Sequence, residues 1–87
     1  MSMLEKLFQI EVRQYRDSDL LLATSEDLRG LNVVGRSDQE IESRVPGSVR
    51  ELLEAQGHRV AQVTAERSDK SGFLLRNLVA KVTLAAA

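Results

Sequence analysis

Cysteine is missing from all 87 residues. Its absence excludes disulfides, thiolate nucleophiles, zinc–thiolate sites and iron–sulfur clusters, and fits a reducing, cytoplasmic setting. Aromatic side chains are nearly as scarce, with two Phe, one Tyr and no Trp. Base-stacking platforms and aromatic cages are therefore not expected, and the core has to be built from Leu, Val, Ile and Ala. No apolar run exceeds four residues, against the roughly 20 that a membrane span requires. The first residues, Met1 to Lys6, lack the apolar stretch of a signal peptide. The chain is read as neither exported nor embedded.

What is present suits one small domain over residues 1–87. A chain this short buries only about 60 to 65% of its unfolded surface, which leaves a thin core. The formal net charge of −1 gives no general attraction to phosphate backbones, so direct nucleic-acid binding is not expected. The charges are unevenly placed. Glu26 to Glu54 holds seven acids against four arginines, and His58 to the end holds five bases against two acids. Opposite patches of this kind suit a charged partner or head-to-tail association, while mixed surfaces are commonly just solvated.

Phe8, Ile10 and Val12 alternate with polar residues and predict a strand with one buried face. Arg16 to Asp19 is turn material, and Leu20 to Ser25 follows as a second strand, its run Leu20-Leu21-Leu22-Ala23 predicting burial on both faces. Leu31 to Val34 gives a third strand, stopped at Gly35. Ser37 with Glu40 forms a capping box, and Ile41, Val45, Val49, Leu52 and Leu53 share one helical stripe that ends at Gly57. Pro46 predicts a kink or two short helices, because it lacks the amide and meets the carbonyl of Glu42. Val60 to Glu66 reads as a strand and Ser68 to Gly72 as a turn. The tail, residues 73–84, fits either a helical stripe or alternation; its β-branched Val79, Val82 and Thr83 favour a strand. Ala85 to Ala87 is expected to fray. The result is an α+β domain of order β-β-β-α-β-β, an antiparallel meander with one kinked helix on one face and then one or two further strands.

Catalytic chemistry finds little footing. Asp17, Asp19, Glu26 and Asp27 are the carboxylates that a magnesium-dependent nuclease would have to gather, and all fall in turns or loops. His58 follows the helix-ending Gly57, where an imidazole can meet terminal carbonyls. It is the single histidine available to Ser25, Ser37, Ser48, Ser68 and Ser71, none of which lies in a nucleophile elbow. Gly30 and Gly35 bracket a strand without the spacing or the lysine of a phosphate loop. No enzyme, cofactor or metal is expected.

The segment Ala23-Thr24-Ser25-Glu26-Asp27-Leu28-Arg29-Gly30-Leu31-Asn32-Val33-Val34-Gly35, placed ahead of the Ser37 capping box, resembles the HicB-like antitoxin superfamily. Members commonly read Asp-Leu-Pro-Gly, a short strand, then Gly and Ser or Thr at a helix start. Asp27, Leu28, Gly30, Gly35 and Ser37 match, and Arg29 stands where proline is usual. The continuation Val45-Pro46-Gly47-Ser48-Val49-Arg50-Glu51-Leu52-Leu53 resembles a short branch of the same superfamily. The likeness spans roughly residues 7 to 57 and implies a partial ribonuclease H-like fold. About 30 residues follow Gly57, and their strand-like pattern does not match the family's DNA-binding segment. The resemblance therefore implies capping of a small basic HicA-like, RNA-cleaving toxin, with Glu26, Asp27, Leu28, Arg29, Gly30 and Leu31 as partner-binding residues and the acidic helix face beside them. The alternative is a homo-oligomeric domain of the same type with a structural or ligand-holding role and no toxin. Both lead to the expectation of a homodimer, since one helix covers only one face of a sheet.

Overall fold

A computed structural model describes residues 3–67 and 76–85. Among the described residues, five strands and one helix follow in the order β1 (Met3–Gln14), β2 (Leu21–Thr24), β3 (Val33–Gly35), α1 (Asp38–Ala55), β4 (Val60–Arg67) and β5 (Arg76–Ala85). The β-β-β-α-β-β order and the initial meander are as expected. The strands form one antiparallel sheet of order β3-β2-β1-β5-β4. The last strand enters between the first strand and β4, and α1 carries the chain from one sheet edge to the other.

Alternation decides which side of each strand is buried. Ile10 and Val12 from β1 lie opposite or beside Leu78, Ala80, Val82 and Leu84 from β5, all on the face under α1. The tail is thus a strand, with the period of two prevailing over the helical reading. From above, α1 lowers Ile41, Val45, Val49 and Leu53 onto this layer. Ile10, Ile41, Val45, Val49 and Val82 are wholly buried, each stabilising the fold by about 1.5 to 3 kcal/mol relative to exposure. The opposite face carries Glu5, Gln9, Glu11, Gln62, Thr64, Lys81 and Thr83, the polar-out half of the same alternation.

Helix α1 begins as its sequence predicts. The Ser37 hydroxyl accepts from the Glu40 amide at 3.2 Å, and the Glu40 carboxylate reaches back to the Arg36 amide at 3.0 Å. It ends on Gly57 (φ +95), with His58 N–H donating to Leu53 O and Gly57 N–H to Glu54 O, both at 3.0 Å. Between these caps the helix runs unbroken through Pro46, so the two-helix alternative is not adopted. Val45 and Val49, wholly buried on either side of Pro46, hold both halves against the sheet and offset the missing backbone bond.

Several expectations need correction. Leu20, Leu21 and Leu22 are only half-buried and Ala23 alone is fully buried, because β2 lies next to the edge strand β3 and its outer face meets solvent. The third strand is shifted to Val33–Gly35, since Leu31 closes the preceding turn. Ala85 does not fray: its amide donates to Arg59 O at 2.9 Å. Residues 86–87, the Ser68–Gly72 turn and the part of the tail before Arg76 lie outside the described residues.

Candidate functional site

The loop between β2 and β3 contains all six residues singled out for partner binding, and its conformation is fixed from three sides. Where β2 ends, β1 continues past it. Gln9 on β1 uses both backbone groups to hold the loop: its N–H donates to Asp27 Oδ2 at 2.8 Å and its carbonyl accepts from Ser25 Oγ at 2.6 Å. The Asp27 amide also donates to Ser25 Oγ at 3.2 Å. Next comes a turn in which Leu31 N–H donates to Leu28 O at 3.3 Å, with Gly30 (φ +92) supplying the positive φ at its third position. Leu28 and Leu31 then insert into the core, 4% and 2% exposed.

The six residues therefore separate by role. Leu28 and Leu31 are buried pegs, Gly30 is a turn residue, and Asp27 is the clip to β1. Glu26 and Arg29 project into solvent. The side chains free to meet a partner are these two, joined by residues that loop-reading did not single out. Ser48, Glu51 and Leu52 on the outer flank of α1 line a shallow groove with Gly30, Leu31 and Asn32. The groove continues along Val34, Ser43, Arg44 and Gly47. Its open form, lined by polar and apolar groups in about equal share, suits a macromolecular surface better than an enclosed small ligand. The i, i+3 spacing of Ser48, Glu51 and Glu54 shows in the sequence that they share a flank of α1 off the buried stripe, but not that this flank borders the loop.

Local pairing thins the acidic charge of α1. Glu40 pairs with Arg44 at 2.6 Å, and Glu42 accepts from Arg67 Nε of β4 at 2.7 Å. That hydrogen bond, reinforced by the Glu42 charge, raises the Arg67 pKa and leaves it cationic throughout the usable pH range. Glu26, Glu51 and Glu54 are exposed and have no ion-pair partner among the described residues. Arg44 and Arg50 are also committed, donating to Val34 O at 2.7 Å and Val60 O at 2.8 Å. The loop and helix together keep a net negative charge, seven acids against four arginines from Glu26 to Glu54, while the groove lining itself holds one acid, Glu51, and one base, Arg44.

The catalytic candidates do not converge. Asp17 and Asp19 sit in the β1–β2 hairpin turn, while the Asp27 carboxylate is held by Gln9. His58 contributes its backbone amide to the helix end. Ser25 and Ser37 are occupied as loop clip and helix cap; Ser68 and Ser71 lie outside the described residues. Among the described residues no group of three or more His, Asp or Glu could hold a metal ion, and no helix is long and apolar enough to cross a membrane. Comparison with known proteins returns no match: no family model, no curated protein and no solved structure matches the chain.

Proposed function

We propose that this domain is a non-catalytic binding module of the HicB-like antitoxin type, with that family's partial ribonuclease H-like fold, which masks a small, basic, RNA-cleaving protein. The observation that carries this reading is the pairing of a pre-ordered loop with unneutralised acids. Gln9, Leu28 and Leu31 fix the loop before any partner arrives, so little ordering entropy remains to oppose binding. Glu51 in the shallow groove, with exposed Glu26 on the loop and Glu54 further along α1, then offers negative charge complementary to a surface shaped to hold RNA phosphates. The module works as a homodimer in the cytoplasm and needs no cofactor.

The experiment is direct titration of a small basic protein encoded beside this one, by calorimetry, with RNA cleavage followed in parallel. Stoichiometric binding with loss of cleavage is expected. Reversing Glu26, Glu51 and Glu54 together to lysine should slow association about tenfold or more at low salt. Absence of both binding and inhibition would overturn the toxin-masking role and leave the homo-oligomeric alternative, which draws its own support from the exposed Met3, Leu4 and Leu7 on β1.

A further inference from the structure

We propose that the free edge of β1 from Met3 to Leu7 is the surface through which two copies of this chain associate, by antiparallel pairing about a two-fold axis at Glu5. This deepens the self-association in the proposed function and says nothing of the toxin-facing groove.

The sheet has three exposed edges, and they are treated differently. At β3 the outward carbonyl of Val34 is taken by Arg44, and the strand is only three residues long. At β4 the carbonyl of Val60 is taken by Arg50, and a bulge between Val60 and Gln62 breaks the ladder. Short length, bulges and capping side chains are the ordinary means of keeping an edge from pairing. The third edge arises because β2 and its loop accompany β1 only down to Gln9. From Met3 to Phe8, β1 is bonded to β5 on one side and to no described residue on the other.

Parity identifies the groups on this edge. Gln9 turns both its N–H and its carbonyl away from β5, toward the loop. In a regular antiparallel strand residues alternate in this respect, and the β1–β5 register runs without a shift from Met3 to Val12. Leu7, Glu5 and Met3 therefore also turn both backbone groups outward. The side chains around them are unusually apolar for a solvated edge, with Met3 65%, Leu4 56% and Leu7 60% exposed.

A second copy fits this edge because the segment complements itself. Two antiparallel strands related by a two-fold axis keep the same faces together, so odd residues must meet odd residues. With the axis at Glu5, Met3 meets Leu7 of the second copy, twice, on the polar face of the sheet, and Leu4 meets the aliphatic stem of Lys6 on the helix side. The outward groups of Met3, Glu5 and Leu7 find one another in the hydrogen-bonded positions. The two Glu5 carboxylates fall opposite each other, each already accompanied by its own Lys81 at 3.6 Å, which offsets the like-charge contact. The result is a continuous ten-stranded sheet with both helices on one face. Pairing over five residues buries less than the standard interface of about 1,200 to 2,000 Å², so affinity in the micromolar range is expected.

The absence of cysteine makes the register testable. Oxidised Glu5→Cys should cross-link as a dimer, because residue 5 meets itself at a Cα separation of about 5.5 Å. Leu4→Cys and Leu7→Cys should not, since each is displaced from its own copy along the strand. Glu5→Pro removes an outward N–H without touching the ladder to β5, so it should abolish association while leaving the far-ultraviolet circular dichroism unchanged. Molar mass by light scattering from about 1 μM to about 1 mM brackets the expected affinity. Concentration-dependent dimer that follows this pattern supports the proposal. A dimer indifferent to Glu5→Pro, or cross-linked through residue 4 or 7 instead, overturns the edge assignment but leaves self-association standing. A chain monomeric to about 1 mM, whether or not its edge takes up an extended peptide of another protein, overturns both.

Discussion

Gly47 and Gly57 allow one substitution to be read with opposite signs. Each has no atom within 4 Å of where a Cβ would stand, so replacement by alanine tests the backbone alone. Gly47 lies inside α1, exposed, one residue after Pro46. If that turn is regular helix, Gly47→Ala should stabilise the domain by about 0.8 to 1 kcal/mol, the difference in helix propensity. Gly57 holds φ +95, where a Cβ costs about 1 to 2 kcal/mol, partly offset by about 0.4 to 1 kcal/mol from a stiffer unfolded chain. A net loss near 1 kcal/mol is expected. For a domain of this size the two variants should melt about 4 to 8 °C above and below the parent, and their urea midpoints should separate by about 1 M or more. Shifts in the same direction would refute the reasoning. A neutral Gly47→Ala in particular would mean that the turn after Pro46 is not helical.

Gly35→Ala acts through space rather than backbone freedom. Its Cβ would stand 3.1 Å from Ile41 Cδ1 and 3.3 Å from Glu40 Cγ, and overpacking β3 against the start of α1 should cost about 1 to 3 kcal/mol by urea denaturation. Asp27→Ala leaves the Gln9 amide without its carboxylate acceptor and should cost about 1 to 2 kcal/mol, with faster hydrogen exchange at Gln9 and in the loop as the specific sign. Ile10→Ala, at a wholly buried site, should cost about 2 to 5 kcal/mol, the upper end if the layer under α1 cannot collapse into the gap.

How legible the fold is depends on whether the deciding interaction is local. Ser37, Glu40 and Gly57 announce the ends of α1 because capping operates within a few residues. Alternation in β1 and β5 states which side faces inward, but it does not name neighbours, so the placement of β5 between β1 and β4 could not be read. The N-terminal half of β1 shows no clean alternation at Leu4, Glu5, Lys6 and Leu7; it is extended because β5 pairs with it from the far end of the sequence. The loop was visible as a candidate site only through family resemblance. That Leu28 and Leu31 are core pegs, and that Ser48 and Glu51 border the loop, follows from the helix crossing above, which no local pattern encodes.

The central position of β5 has a consequence for synthesis on the ribosome. Met3 finds its place opposite Ala85, 82 residues later, so the sheet cannot close until the end of β5 has left the exit tunnel. Until then α1 has no complete layer to rest on, β4 lacks its neighbour, and β1 stands bare along both sides from Met3 to Phe8. The domain should therefore fold only once β5 is complete, with the long-range pairing of β1 and β5 setting its rate.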